Sequence, residues 1–201
     1  MDKLTAKLSA QGIVPTLLLH SCCAPCSSYV LEYLSEYFSI NVLYYNPNIS
    51  KKEEYTLRLE EQRKLIEAMN FKNPVTLTEG EWDTGSFFEI AKGLEACPER
   101  GERCKKCYRL RLEYTAKKAS ELGADFFATT LTLSPLKDAK VLNETGEELS
   151  EKYGVKYLAS DFKKREGYKR SLQLSKEYGL YRQNFCGCIY SQLASNKEND
   201  K

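Results

Sequence analysis

The 201 residues, 42% hydrophobic and 29% charged, are enough to bury one good core and leave little room for a second. No apolar run approaches the roughly 18 residues of a spanning helix. The stretch from Ile13 to Leu19 is too short, and too interrupted by Pro15 and Thr16, for a secretory signal. The net charge is only +2 but is unevenly spread. The expectation is one domain over residues 1–195, with a charged, disordered tail at 196–201, in the cytoplasm and away from membranes.

In chain order, a strand-like run from Val14 to His20 enters the first cysteine group. An amphipathic helix follows, with Tyr29, Val30, Tyr33, Leu34, Tyr37 and Phe38 at helical spacing. Ser39 to Tyr45 reads as a buried strand stopped by Asn46-Pro47-Asn48. Ser50, with Glu53 three residues on, makes a capping-box pattern for a helix reaching about Met69. Asn73-Pro74 opens a strand over Val75 to Thr78, and beyond the acidic, loop-like 79–86 a helix is expected around Phe87 to Gly93.

From Tyr108 a helical face of Leu112, Thr115, Ala116 and Ala119 runs to about Gly123. A strand over Asp125 to Leu133, a helix over Val141 to Tyr153 and a strand over Val155 to Ala159 complete the alternation. Such alternation predicts an α/β domain whose parallel sheet is covered on both faces, with a cysteine-rich, helical C-terminal portion.

Eight cysteines fall into short groups: Cys22-Cys23-x-x-Cys26, Cys97, Cys104-x-x-Cys107 and Cys186-x-Cys188. In a reducing compartment, metal binding or thiol chemistry is a better reading of them than structural disulfides. Cys22 and Cys23 fall just after the first strand, at the start of a helix. In an open parallel sheet this is the ligand crevice, and the helix dipole there favours thiolate.

Cys23-Ala24-Pro25-Cys26 alone resembles a thioredoxin-like dithiol, but such a protein needs neither Cys22 nor the second pair. With Cys104 and Cys107, Cys22 and Cys23 supply four thiolates, enough for a structural zinc or a [4Fe–4S] cluster. Adjacent Cys22 and Cys23 grip one small ion awkwardly, whereas a cubane offers them separate iron corners. Ligand groups about 80 residues apart also differ from a compact zinc ribbon. Cys186-Gly187-Cys188 suits either a strained, redox-cycling pair or two further metal ligands. Cys26 and Cys97 stay unassigned, and His20 reads either as a structural histidine or as a proton donor.

Residues 97–120 carry eight Lys and Arg against three Glu, and residues 163–182 carry seven against two, with Tyr168, Tyr178 and Tyr181 interleaved. Such a stretch is either a solvated helix face or a surface for phosphates and bases. Lys163, Lys164 and Arg165 are its first candidate contacts.

The ordered set LLLHSCCAPCSSY (17–29), YYNPNI (44–49), CxxCYRLRLE (104–113) and NFCGCIYS (184–191) resembles the cobalamin-independent epoxyqueuosine reductases, the QueH family. The resemblance implies a Rossmann-like fold of the HUP group and a tRNA-modifying oxidoreductase that converts epoxyqueuosine at the anticodon wobble position to queuosine. It implies that Cys22, Cys23, Cys104 and Cys107 ligate a [4Fe–4S] cluster and that Cys186 and Cys188 form a redox-active disulfide. It further allows one additional iron ion, and makes the tRNA anticodon loop and an unidentified electron donor the partners. Two other classes stay open on the residues alone: a thiol-disulfide oxidoreductase without iron, and a zinc-stabilised RNA-binding module.

Overall fold

Period-two alternation sorts the strand side chains onto two faces, and each face has helices to cover it. The structure is a computed structural model that describes residues 1–199. Five strands, β1 (Thr16–His20), β2 (Ser39–Tyr44), β3 (Val75–Glu79), β4 (Phe126–Thr129) and β5 (Lys156–Tyr157), form one sheet in the order β3-β2-β1-β4-β5. Every pairing is parallel. The fold is α/β and Rossmann-like. The direction in which strands are added reverses between β1 and β4, which makes their carboxyl ends the place for a ligand.

Leu17 and Leu19 of β1 point to one face with Phe126 and Ala128 of β4, where α1 (Asp2–Gln11) and α2 (Ala24–Leu34) supply Leu8, Val30, Leu31 and Leu34. Leu18 and Phe127 point to the other face, where α5 (Glu102–Glu121) and α6 (Ala139–Tyr153) supply Leu112, Ala116, Ala119, Leu142 and Leu149. Helices α3 (Lys52–Ala68), α4 (Thr84–Ala91), α7 (Gly167–Glu177) and α8 (Ile189–Asn199) complete the chain. None of the helices among the described residues is long and apolar enough to cross a membrane.

Several elements depart from the expected bounds. Helix α1 has no counterpart among the elements expected from the sequence. Helix α5 begins at Glu102, not Tyr108, so Cys104 and Cys107 lie one turn apart on its first turns. The expected strand Asp125–Leu133 ends at Thr129, whose hydroxyl accepts from Leu131 N at 3.1 Å and starts a 3-10 helix over Thr130–Leu133. Ser50 does not cap α3. Its hydroxyl accepts from Ile189 N at 3.0 Å, and the helix starts after Lys51 without a side-chain cap. Helix α8 carries regular structure through Asn199, into the stretch expected as a tail, and positions 200 and 201 lie outside the described residues.

Candidate active site at the carboxyl ends of the strands

The first thiol group is built by the end of β1. After His20 the chain turns through Ser21 and Cys22, and Cys23 is the N-cap of α2 in extended conformation, with proline in the first helical turn. The turn is fixed by buried hydroxyls: Ser21 Oγ meets Ser27 Oγ at 2.6 Å and donates to Gln62 Oε1 at 2.7 Å. The Sγ atoms of Cys22, Cys23 and Cys26 all lie within 4.8 Å of one another, with Cys22 and Cys23 3.7 Å apart. This cluster is able to bind a metal ion. Hydrogen bonds from the Cys22 and Cys26 thiols, helped by the Arg58 guanidinium, hold the Cys23 thiol well below its ordinary range. Cys26 is pushed well up by the same contacts and by burial. The arrangement thus favours the thiolate form at Cys23, the residue at the helix N-terminus, and the dipole there acts in the same direction.

The second group sits on α5. Cys107 is buried and pushed up to about 11 by that burial, against the pull of Arg111. Arg111, 1% exposed, lies one turn further along. Its Nε donates to His20 Nε2 at 3.2 Å and its Nη2 to Asn46 Oδ1 at 2.5 Å. The charges of Cys107, Cys22 and Cys186 hold it protonated against the cost of burial. Arg111 therefore stands between the thiols of β1–α2 and those of α5. Asn46, just past β2, also donates to Ser21 O at 2.9 Å.

His20 is wholly buried, and burial, reinforced by Arg111, pushes its pKa down to about 3. Its Nδ1 meets Thr129 Oγ1 at 2.9 Å, across the β1–β4 boundary. Of the two readings of His20, this geometry supports the structural one.

The third group is the Cys186-Gly187-Cys188 turn. Gly187 has φ 105°, and a Cβ there would come within 2.9 Å of Ile49 Cγ1 and 3.1 Å of Arg58 Nη1. The turn is clamped from outside: Arg58, 2% exposed and paired with Glu54 at 2.6 Å, donates to Cys186 O at 3.2 Å, and Ser50 N donates to Gly187 O at 3.2 Å. Cys188 Sγ accepts from Ser191 N at 3.4 Å, and burial, followed by its neighbour Cys186, pushes its thiol up to about 12.

Lys137 is nearly buried, with Nζ 3.5 Å from Cys186 Sγ and 3.0 Å from Glu99 Oε1. Burial opposes its charge, but Cys186, Tyr108 and Glu99 outweigh that and raise its pKa. All eight cysteines are free thiols.

A cavity of about 320 Å³ opens over these groups, between Cys22, Cys23 and Cys26 on one side and Cys186 and Lys137 on the other. A smaller one, about 20 Å³, lies between Cys104, Cys107, Cys186 and Cys188, and Arg111 and Lys137 line both. The donor set fits a thiolate-bound cofactor. Among the described residues the sulfurs close enough to share one ion are those of Cys22, Cys23 and Cys26, while Cys104 and Cys107 line the smaller cavity; buried Arg111 and nearly buried Lys137 are in place to offset thiolate charge.

The sequence model of the family described as "Epoxyqueuosine reductase QueH" matches residues 17–194. A relative of that name from Staphylococcus epidermidis is 43% identical over 200 residues, covering 96% of this chain and 84% of its own. One from Streptococcus pyogenes is 41% identical, covering 95% of this chain and 76% of its own. One from Thermotoga maritima is 34% identical, covering 89% and 91% respectively. The chain belongs to the QueH family. Members of the QueH family are named as reductases, which makes this chain an oxidoreductase and agrees with a site built mainly from thiols.

The QueH site draws on residues the sequence reading passed over. Arg58, Asn46, Asn48, Arg111 and Lys137 all support the cysteines, Asn48 Nδ2 lying 3.5 Å from Cys186 O. In the sequence Asn46 and Asn48 signal only the end of β2. Arg111 carried a signal, since Cys104, Cys107 and Arg111 share one helical face. Cys97 lines neither thiol cavity, and its carbonyl accepts from Arg103 Nη1 at 2.7 Å. Of Lys163, Lys164 and Arg165, Lys163 turns inward, its Nζ donating to Thr132 O at 3.2 Å. Lys164 and Arg165 line a separate cavity, and Tyr168, Ser171 and Arg182 of the same basic stretch line the thiol cleft.

Proposed function

We propose that the protein reduces the epoxide of epoxyqueuosine, at the wobble position of a tRNA anticodon, to the alkene of queuosine. The reaction consumes two electrons and two protons and releases water. The observation that carries this reading is the meeting of three thiol groups from distant parts of the chain at one end of the sheet, around Arg111 and Lys137.

In this reading Cys22, Cys23, Cys104 and Cys107 hold a [4Fe–4S] cluster, which supplies single electrons when bound. One additional iron would find a further sulfur ligand in Cys26, which must give up its proton to bind. The Cys186 and Cys188 dithiol stores two electrons and gives them up as a disulfide. Gly187 lets the ring close, and Arg58 and Ser50 keep the turn in register. Lys137 places a fixed positive charge beside Cys186, on the wall of the cleft, where it favours the thiolate. An anticodon loop would enter the cleft with its phosphates on the basic stretch that includes Lys164, Arg165 and Arg182, Lys163 being turned inward. An electron donor outside the chain would restore the reduced state, and the reaction is assigned to the cytoplasm.

A single bound zinc has one observation in its favour. With metal–sulfur bonds of about 2.3 Å, tetrahedral thiolates stand about 3.8 Å apart, close to the 3.7 Å between Cys22 and Cys23. A cubane would require that group to open.

Both readings are tested by incubating reconstituted protein with epoxyqueuosine-containing tRNA and a low-potential reductant, then analysing nucleosides by mass spectrometry. Conversion to queuosine, with loss of one oxygen, supports the reductase. Unchanged epoxide with fully loaded metal contradicts it.

A further inference from the structure

The second cavity, about 300 Å³, lies beyond the N-terminus of α7 from the thiol cleft. Its walls combine two features. On α2, Tyr29 and Tyr33 lie one turn apart, rings nearly parallel at 23° with centroids 6.3 Å apart, half-buried against the core. Facing them, the loop after β5 presents exposed Lys164 and Arg165, with Ser160 and Asp161 as a polar floor.

This loop is held in a costly shape. Arg165 and Glu166 are consecutive non-glycine residues in the left-handed region, at φ 56° and 63°. Gly167 follows, where any Cβ would overlap Phe162 O and the Tyr29 ring. Backbone strain of this kind persists where surrounding structure enforces it and clusters at ligand sites. The neighbouring acid Glu32 is matched by Arg170 at 2.5 Å, so the rim stays net basic.

The two cavities share their dividing wall. Cys26 lines the thiol cleft and Tyr29, one turn along α2, the second cavity. Tyr168 lines the cleft and Arg165, three residues earlier, the second cavity.

We infer that this second cavity is a nucleotide subsite: it holds the RNA nucleotide adjoining the one whose base enters the thiol cleft. The base stacks on Tyr29 and Tyr33, and its phosphate lies against Lys164 and Arg165. Aromatic faces with interleaved cations are what an unstacked RNA base requires, and stacking tolerates any base identity. The inference rests on the tRNA reading above, and it places the flanking nucleotide rather than the reacting one.

The test uses an anticodon stem-loop RNA carrying 4-thiouridine at either position flanking the wobble nucleotide. The whole protein is cross-linked to it, and the attachment is mapped by mass spectrometry. Attachment at Tyr29 or Tyr33 is expected. Anisotropy titrations with the same RNA accompany it. Tyr29→Leu/Tyr33→Leu, which keeps apolar volume but removes both faces, should weaken binding about tenfold. Lys164→Ala/Arg165→Ala, on exposed side chains, should lower the log–log salt slope by about 0.7, the value for one lost phosphate contact on a single strand. Wild-type binding together with unchanged affinity and slope in both folded variants would overturn the subsite alone. Failure of wild-type protein to bind the RNA would overturn the tRNA reading, and the subsite with it.

Discussion

Arg111 Nε donates to His20 Nε2 across 3.2 Å, joining the middle of α5 to the last residue of β1 with both side chains almost wholly buried. Burial keeps the imidazole neutral: Nδ1 meets Thr129 Oγ1 at 2.9 Å, and Nε2 faces both the guanidinium and Tyr45 O, the latter at 3.1 Å. The same guanidinium faces Cys107 and Cys22. One side chain thus links sheet register to the charge balance of the thiol site. Arg111→Leu leaves Asn46 Oδ1 without its guanidinium donor, takes one of two partners from His20 Nε2, and leaves the thiolates without their cation. A loss of about 3 kcal/mol in urea unfolding is expected, with a fall in bound iron. Arg111→Lys should recover little, because an ammonium lacks the fork that reaches His20 and Asn46 together.

Cys186→Ser and Cys188→Ser should keep the iron content and visible absorbance of the wild type while abolishing turnover, since each removes half of the two-electron store. Nucleoside analysis beside iron determination reads both properties. Full activity in both variants would remove the dithiol from the reaction.

Gly187→Ala isolates the shape of that turn from its sulfur. A φ of 105° is strained for any L side chain, and the new methyl meets Ile49 and Arg58. The cost should be about 1–3 kcal/mol of stability by chemical denaturation. Turnover should fall well beyond what that loss explains, because the Arg58 contact to Cys186 O is displaced.

Much of this was legible in the sequence, for definite reasons. The parallel sheet followed from apolar runs alternating with helical spacing, and β1, β2 and β3 fell within two residues of their expected bounds. Placing Cys22 and Cys23 at the carboxyl end of β1 needed only that pattern. What escaped was whatever depends on partners distant in the chain. Ser50 looked like a cap because it precedes Glu53 by three residues, yet its hydroxyl serves Ile189, 139 positions away. The expected β4 ran too long because Thr130–Leu133 has strand-like composition, and only the Thr129 side-chain bond shows the turn. Arg58 lies among Tyr55, Leu59 and Gln62 on the buried face of α3, where a charge has no meaning until the Cys186 turn is placed against it. Cys26 could not be assigned from spacing, because its distance to Cys22 depends on the backbone of the α2 cap.

Cys104→Ser and Cys107→Ser separate a metal shared between β1–α2 and α5 from one held by the first group alone. Each should reduce bound iron as severely as Cys22→Ser, as measured by metal analysis after anaerobic reconstitution. Retention of full metal in both would confine the site to Cys22, Cys23 and Cys26. Cys97→Ser, outside the thiol cavities, should leave metal content unchanged.

The most direct test of the central claim is quantification of iron, acid-labile sulfide and zinc in protein purified and reconstituted without oxygen. The account predicts brown protein with at least about four irons and about four sulfides per chain, which bleaches on chelation or oxidation. Folded protein that stays colourless, holds about one zinc and takes up no iron would contradict it.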